Sequence, residues 1–223
     1  MGCSSPNSIY SKLSTENKEL SKFEQTWNVH KVPVNELELQ IRRCQLNQVN
    51  DYIQLINSHF HLNIPENLLL DSKPTFEELL SLFILLGSGS PDTKLRGLWH
   101  IYDLSFTQKL NRSSLSRLIK SVIKSALNFS LKYYADSHKS ALIIAWQQQL
   151  NERVESLSNK LIQHFLADKD ETSLTEFLSK SQEMPQGRIF ELNAVRTQLE
   201  HTQVIPARFA NPFLAMKVKR LNS

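Results

Sequence analysis

Asp103, Ser105 and Thr107 stand two apart, Lys109 follows, and Ser114 takes the twelfth place counted from Asp103. Oxygens at the first, third, fifth and twelfth places of a twelve-residue loop, with a main-chain carbonyl at the seventh, form the arrangement that holds calcium between two helices. The frame is present here, but its chemistry is thinned. Asp103 is the loop's one carboxylate, and Ser114 stands where a glutamate would supply two oxygens. Gln108 occupies the sixth place, where the sharp turn favours glycine because a side chain makes φ > 0 costly. The pattern predicts a loop that keeps its shape and has lost its ion.

A second set, Asp168, Asp170 and Glu176, carries more acid, with Leu174 as its central apolar residue. Only five residues separate Asp170 from Glu176, so this loop is about two short of twelve. These three are the candidate ligands for weak calcium or magnesium binding, and Asp103, Ser105 and Thr107 form the degenerate set. Glu78 closes a third outline whose earlier ligand places are Asn67, Leu69 and Asp71, a leucine replacing an oxygen. His59 and His61 are two apart, whereas ligand pairs on a helix are spaced by three or four, so capping or exposure is the expectation for them.

Other chemistry is scarce. There is no GxSxG, HExxH or phosphate-binding glycine loop, and Cys44 has no activating neighbours, so no enzyme is expected. Cys3 and Cys44 are the two cysteines, too few for a disulfide framework, and no secretory apolar region follows the N-terminus, which fits a cytoplasmic setting. Met1-Gly2-Cys3-Ser4-Ser5-Pro6 makes Gly2 a myristoylation candidate and Cys3 a palmitoylation candidate, with association to a membrane surface as the consequence. Pro6 departs from the usual motif. The formal charge is +4, and the basic residues form no block beyond Lys217, Lys219 and Arg220, so nucleic acid is not an expected partner.

The elements that must position these loops are helices. Apolar residues at 40% with five glycines and eight prolines suit a packed helical chain. Stripes at offsets of three and four run through Leu20, Phe23 and Trp27, then Leu37, Ile41 and Cys44. They continue through Val49, Tyr52, Ile53, Ile56 and Phe60, then Phe76, Leu79, Leu80 and Phe83. Leu95, Leu98, Trp99 and Tyr102 precede the Asp103 loop, and Leu115, Leu118, Ile119, Val122 and Ile123 follow it. Ala141 to Trp146 is apolar nearly all round, and Val154, Leu157, Leu161, Ile162 and Phe165 lead into the Asp168 loop. Gly87-Ser88-Gly89-Ser90-Pro91 reads as a hinge between two lobes. Ile189, Phe190, Leu192, Val195 and Leu199 are followed by Pro206 and Pro212, and the tail beyond reads as extended.

Three fragments carry a resemblance: Phe76-Glu-Glu-Leu-Leu-Ser-Leu-Phe83, Lys94-Leu-Arg-Gly-Leu-Trp-His-Ile-Tyr-Asp-Leu104, and Phe165-Leu-Ala-Asp-Lys-Asp-Glu-Thr-Ser-Leu-Thr-Glu-Phe177. Over residues 48–183 the chain resembles the neuronal calcium sensor and calcineurin B group of the EF-hand superfamily. The resemblance implies an all-α fold of EF-hand-like helix-loop-helix pairs in two lobes with degenerate loops. The expected layout is a flexible leader over 1–15, an N-terminal lobe over 16–89, a C-terminal lobe over 90–183 and an extension over 184–223. It also implies a non-catalytic adaptor or regulatory subunit that binds a helical segment of a larger protein, largely without calcium. Phe83, Leu98, Trp99, Ile119 and Trp146 are the expected lining of its groove, with no cofactor beyond possible weak calcium. The alternative is a calcium sensor working through the Asp168 loop.

Overall fold

A computed structural model describes residues 15, 18–43, 49–65, 75–138, 141–184 and 190–202 of the chain. The described part is mostly helical. A first helix, α1, covers 18–26, and a 3-10 turn spans Val29–Lys31. Then come α2 (Val34–Arg43), α3 (Val49–Phe60), α4 (Phe76–Leu86), α5 (Pro91–Tyr102), α6 (Arg112–Lys124) and α7 (Ser130–His138). They are followed by α8 (Ala141–Asn151), α9 (Val154–Leu166), α10 (Leu174–Glu183) and α11 (Leu192–His201). Two short strands, β1 (Lys109–Asn111) and β2 (Glu171–Ser173), pair antiparallel.

The helices begin where local chemistry satisfies their free N–H groups. Thr75 and Ser173 each accept from the N–H three residues on, and Glu78 and Glu176 reach back to the cap, two reciprocal capping boxes at α4 and α10. Ser90 caps α5 ahead of Pro91, whose fixed φ suits the first helical turn, and Asn111 caps α6 by accepting from the Ser114 N–H at 2.9 Å.

One continuous cluster of buried apolar side chains runs from Leu20 to Leu199. Helix α4, apolar on nearly every side, is buried from Glu78 to Leu85 and packs on α2, α5 and α6. Gly97 lets α5 approach closely, since a Cβ there would lie 3.1 Å from Val34 Cγ1 and 3.2 Å from Ile84 Cδ1. The strand-like bridge between Pro33 and Ser88 fixes the start of α2, with the Ser88 N–H donating to Val32 O (2.8 Å) and the Val34 N–H to Ser88 O (3.1 Å). Three hydroxyls inside this core satisfy one another: Tyr102 donates to Ser121 at 2.6 Å and lies 3.4 Å from Ser81, joining α4, α5 and α6.

Between α6 and α7 the helix widens into a π turn over Ser125–Phe129. The Ser125 hydroxyl donates to Ser121 O at 2.8 Å, a competing local bond that disturbs the regular ladder at this point. After Met184, Leu192 to His201 is helical and belongs to the core, ending before both prolines. The tail that was read as extended lies outside the described residues, as do Cys44, Asn67, Leu69, Asp71, Gly2 and Cys3.

The aromatic centre of the molecule is Phe177. It lies 5.2 Å from Trp99, 4.8 Å from Phe165 and 5.6 Å from Phe190 between ring centroids, and it is fully buried. Phe177→Ala is expected to cost about 3–5 kcal/mol of unfolding free energy in a urea titration. A loss below about 1 kcal/mol would show that the surrounding rings do not form the closed packing described.

Candidate functional site

The two loops singled out by sequence are brought side by side. Each lies between two helices, α5 and α6 for the first and α9 and α10 for the second, and each ends in one strand of the ribbon. The register sets Lys109 opposite Ser173, Leu110 opposite Thr172 and Asn111 opposite Glu171. The residue facing Leu110 is therefore the buried Thr172, and Leu174, expected in that role, instead opens α10.

In the first loop Asp103 is buried directly beyond the end of α5. One carboxylate oxygen accepts from the Thr107 N–H (3.0 Å) and the Thr107 hydroxyl (3.2 Å), and the other accepts from the Gln108 N–H (2.7 Å). Burial on its own would raise the Asp103 pKa; the N–H groups of Thr107 and Gln108 outweigh it and hold the carboxyl below its usual range. Gln108 takes φ 56°, the left-handed turn that its position demanded, and Phe106 takes φ 54°. The turn leaves Phe106 82% exposed and Leu104 67% exposed at the tip. Ser105 and Thr107 are exposed and, with Ser114, Lys109 and Arg117, line a shallow cleft beside the loop.

The second loop is arranged differently. Helix α9 continues to Leu166, Ala167 turns the chain at φ 50°, and Asp168 and Asp170 are exposed. Counted back from Glu176, the first place of a twelve-residue frame falls on Phe165, inside α9, so Asp168 and Asp170 occupy even places, out of phase with the ligands. Glu176 is engaged by the Lys169 ammonium and by the Ser173 N–H (3.2 Å) and hydroxyl (3.3 Å). The Lys169 bond, followed by the Ser173 N–H, brings its pKa down to about 2. Lys109 pairs with Glu171 across the ribbon. Among the described residues no group of three or more His, Cys, Asp or Glu side chains gathers where a metal ion would fit.

The five residues expected to line a groove are placed in the core. Phe83, Leu98, Trp99 and Ile119 are fully buried and Trp146 is nearly so. They present no open surface in this structure, because Phe177 of α10 stands on Trp99, while α11 lies across α6, the π turn, α8 and α9.

The seat of α11 holds a feature that the sequence reading missed. Arg196, fully buried, donates through Nη1 to Glu24 Oε1 (3.0 Å) and through Nη2 to Glu24 Oε2 (3.3 Å), and Nη1 also reaches Ala126 O of the π turn at 3.2 Å. The next carbonyl, Leu127 O, accepts from Gln147 of α8 at 3.0 Å. A signal was available in the sequence. Glu24 falls within the stripe Leu20, Phe23, Trp27, and Arg196 within Leu192, Val195, Leu199, so each sets a charge on an apolar helix face. No family model matches the chain, and no curated protein or solved structure matches it. Among the described residues no helix is long and apolar enough to cross a membrane.

The Asp103 bonds have a defined pH signature. A carboxyl whose pKa is depressed on folding contributes stability that is present above the unfolded value, about 3.9, and is lost as pH falls through the folded value. Asp103→Asn should be less stable at neutral pH, by about 1–3 kcal/mol, and its stability should fall less steeply than that of the wild type below about pH 4. Parallel pH curves for the two proteins in thermal unfolding would show that the ionised carboxylate does not hold this loop.

Proposed function

We propose that the chain is a non-catalytic adaptor or regulatory subunit built from degenerate EF-hand-like units, holding a helical segment of another protein without the aid of calcium. The observation that carries this reading is the use made of Asp103: both of its oxygens accept from the loop's own donors. A calcium loop needs several anionic oxygens left free to converge on the ion. The antiparallel pairing of the two loops through β1 and β2 supports a shared helix-loop-helix ancestry, and the Lys169 bond to Glu176 supports a second loop closed by an internal cation in place of a metal. Partner binding would draw on apolar burial, about 25 cal/mol per Å² before the cost of association. Acylation at Gly2 or Cys3 would add a membrane tether, and a cytoplasmic setting fits the same reading.

Trp99 lies one turn before Asp103 and meets Phe177 in the first turn of α10 at a tilted angle, so it reports on both loops. Addition of calcium up to millimolar concentration should leave Trp emission and thermal stability unchanged. A saturable emission change at micromolar calcium, abolished by Asp168→Asn/Asp170→Asn, would replace this reading with that of a calcium sensor.

A further inference from the structure

The seat beneath α11 has a chemistry of its own. Its walls are apolar, and its floor offers a cation two acceptors, the Glu24 carboxylate from α1 and the Ala126 carbonyl from the π turn. A π turn shifts the helical ladder by one residue and releases a carbonyl from it, and such turns concentrate at functional positions. Here two successive carbonyls, Ala126 O and Leu127 O, accept from side chains of other helices. Arg196 is the one fully buried cation among the described residues. An ion pair in such a place adds little net stability over apolar packing of the same volume, but loss of one member is strongly unfavourable. Its best-attested use is to make docking specific.

One side of α11 borders open space. Between α9 and α11 a cleft of about 210 Å³ stays open, lined by Leu157, Leu161, Met184, Ala194, Gln198 and His201. The C-terminal end of α11 is held from outside the helix by Arg153, whose Nη1 donates to Leu199 O at 3.1 Å and also to Glu200 O. The seat thus reads a positive charge, is bordered on the α9 side by this cleft, and is met at one end by a cation that binds helix carbonyls.

We propose that this seat is the docking surface of the adaptor, that it fits an amphipathic helix carrying a cation among apolar residues at the spacing of Leu192, Val195, Arg196 and Leu199, and that α11 is the resident competitor held by Glu24. The proposal rests on the adaptor reading above and narrows its partner class. A partner helix displaces α11 only by supplying its own Arg or Lys to Glu24, so apolar helices without a cation are rejected by the unpaired buried carboxylate.

The test uses the full chain, Arg196→Gln in the full chain, and two labelled synthetic peptides: residues 190–202, and the same peptide with Gln in place of its arginine. In the wild type, native-state hydrogen exchange should show α11 opening before α6 and α9. Arg196→Gln should keep its far-UV helical signal, exchange its α11 amides about tenfold faster or more, and bind the arginine peptide about tenfold or more tighter than the glutamine peptide in fluorescence anisotropy. Equal binding of the two peptides would overturn the cation-reading seat and leave helix docking, and with it the adaptor reading, in place. Binding of neither peptide to a variant whose α11 is open would remove helix docking at this surface together with that reading. Should Arg196→Gln unfold, the wild-type exchange decides: α11 amides that exchange only with global unfolding would make α11 a fixed core element and overturn the proposal.

Discussion

Among the described residues, a guanidinium with no access to water is the costliest group to place, and the arrangement of the helices around it reflects how that cost is met. Moving an unpaired charge into the interior is unfavourable by many kcal/mol, so Arg196 is tolerable only where a carboxylate and further acceptors surround it. Glu24 answers with two oxygens and the π turn with one carbonyl. Three segments far apart in sequence are thereby fixed to one another: α1, the joint between α6 and α7, and α11. Loss of either charged partner leaves the other buried alone, a penalty of about 3–5 kcal/mol in comparable cases. On the same helix α1, Phe23 meets the rings of Trp27, Tyr133 and Tyr134, which adds an aromatic tie to α7.

The same electrostatic rule governs the loops. A loop that bends sharply between two helices exposes N–H groups that require acceptors, and in a calcium loop the ion gathers the carboxylates while the turn is held around it. In the first loop Asp103 turns inward and accepts from Thr107 and Gln108, so its charge organises the loop backbone. In the second loop the Lys169 ammonium meets Glu176. The carboxylates of the two loops are met by different means, Asp103 by backbone N–H groups and Glu176 by a lysine and a cap N–H.

Most of the helices were legible because their apolar stripes repeat at three and four residues, a pattern set by helix geometry and independent of what each helix touches. The stripes through Leu95 to Tyr102 and Leu115 to Ile123 fall within α5 and α6, and the positive φ required at Gln108 could be read from one substitution in a spaced motif. The groove residues were not legible. Periodicity identifies an apolar face but not what covers it, and Phe83, Leu98, Trp99, Ile119 and Trp146 are covered by this chain's own helices. The second loop was misread by two residues for a related reason. Leu174 is the apolar residue that a motif search selects, but strand register follows backbone pairing, and that places Thr172 opposite Leu110. The π turn had no sequence signal, since it arises from Ser125 bonding back to Ser121 and from side chains that arrive from α8 and α11.

Rigidity and selectivity are linked in such a scaffold. Phe177 on α10, Phe165 on α9 and Trp99 on α5 meet in one cluster, so the two helix-loop-helix units share their packing, and opening one requires repacking the other. A sensor must hold two packings within a few kcal/mol of each other and needs an ion to choose between them. Here the internal partners of Asp103 and Glu176 already favour one packing, which supports the adaptor reading. Helix α11 has polar anchorage at both ends of its seat: Arg196 donates to acceptors on α1 and the π turn, and Arg153, at the start of α9, donates to the carbonyls of Leu199 and Glu200 in α11. Ion pairs and carbonyl bonds can be exchanged one for one with an incoming helix of the same chemistry, whereas interlocked aromatic rings cannot. On the proposal that α11 can be displaced, such freedom would lie at the edge of the fold, over a centre that does not need to move.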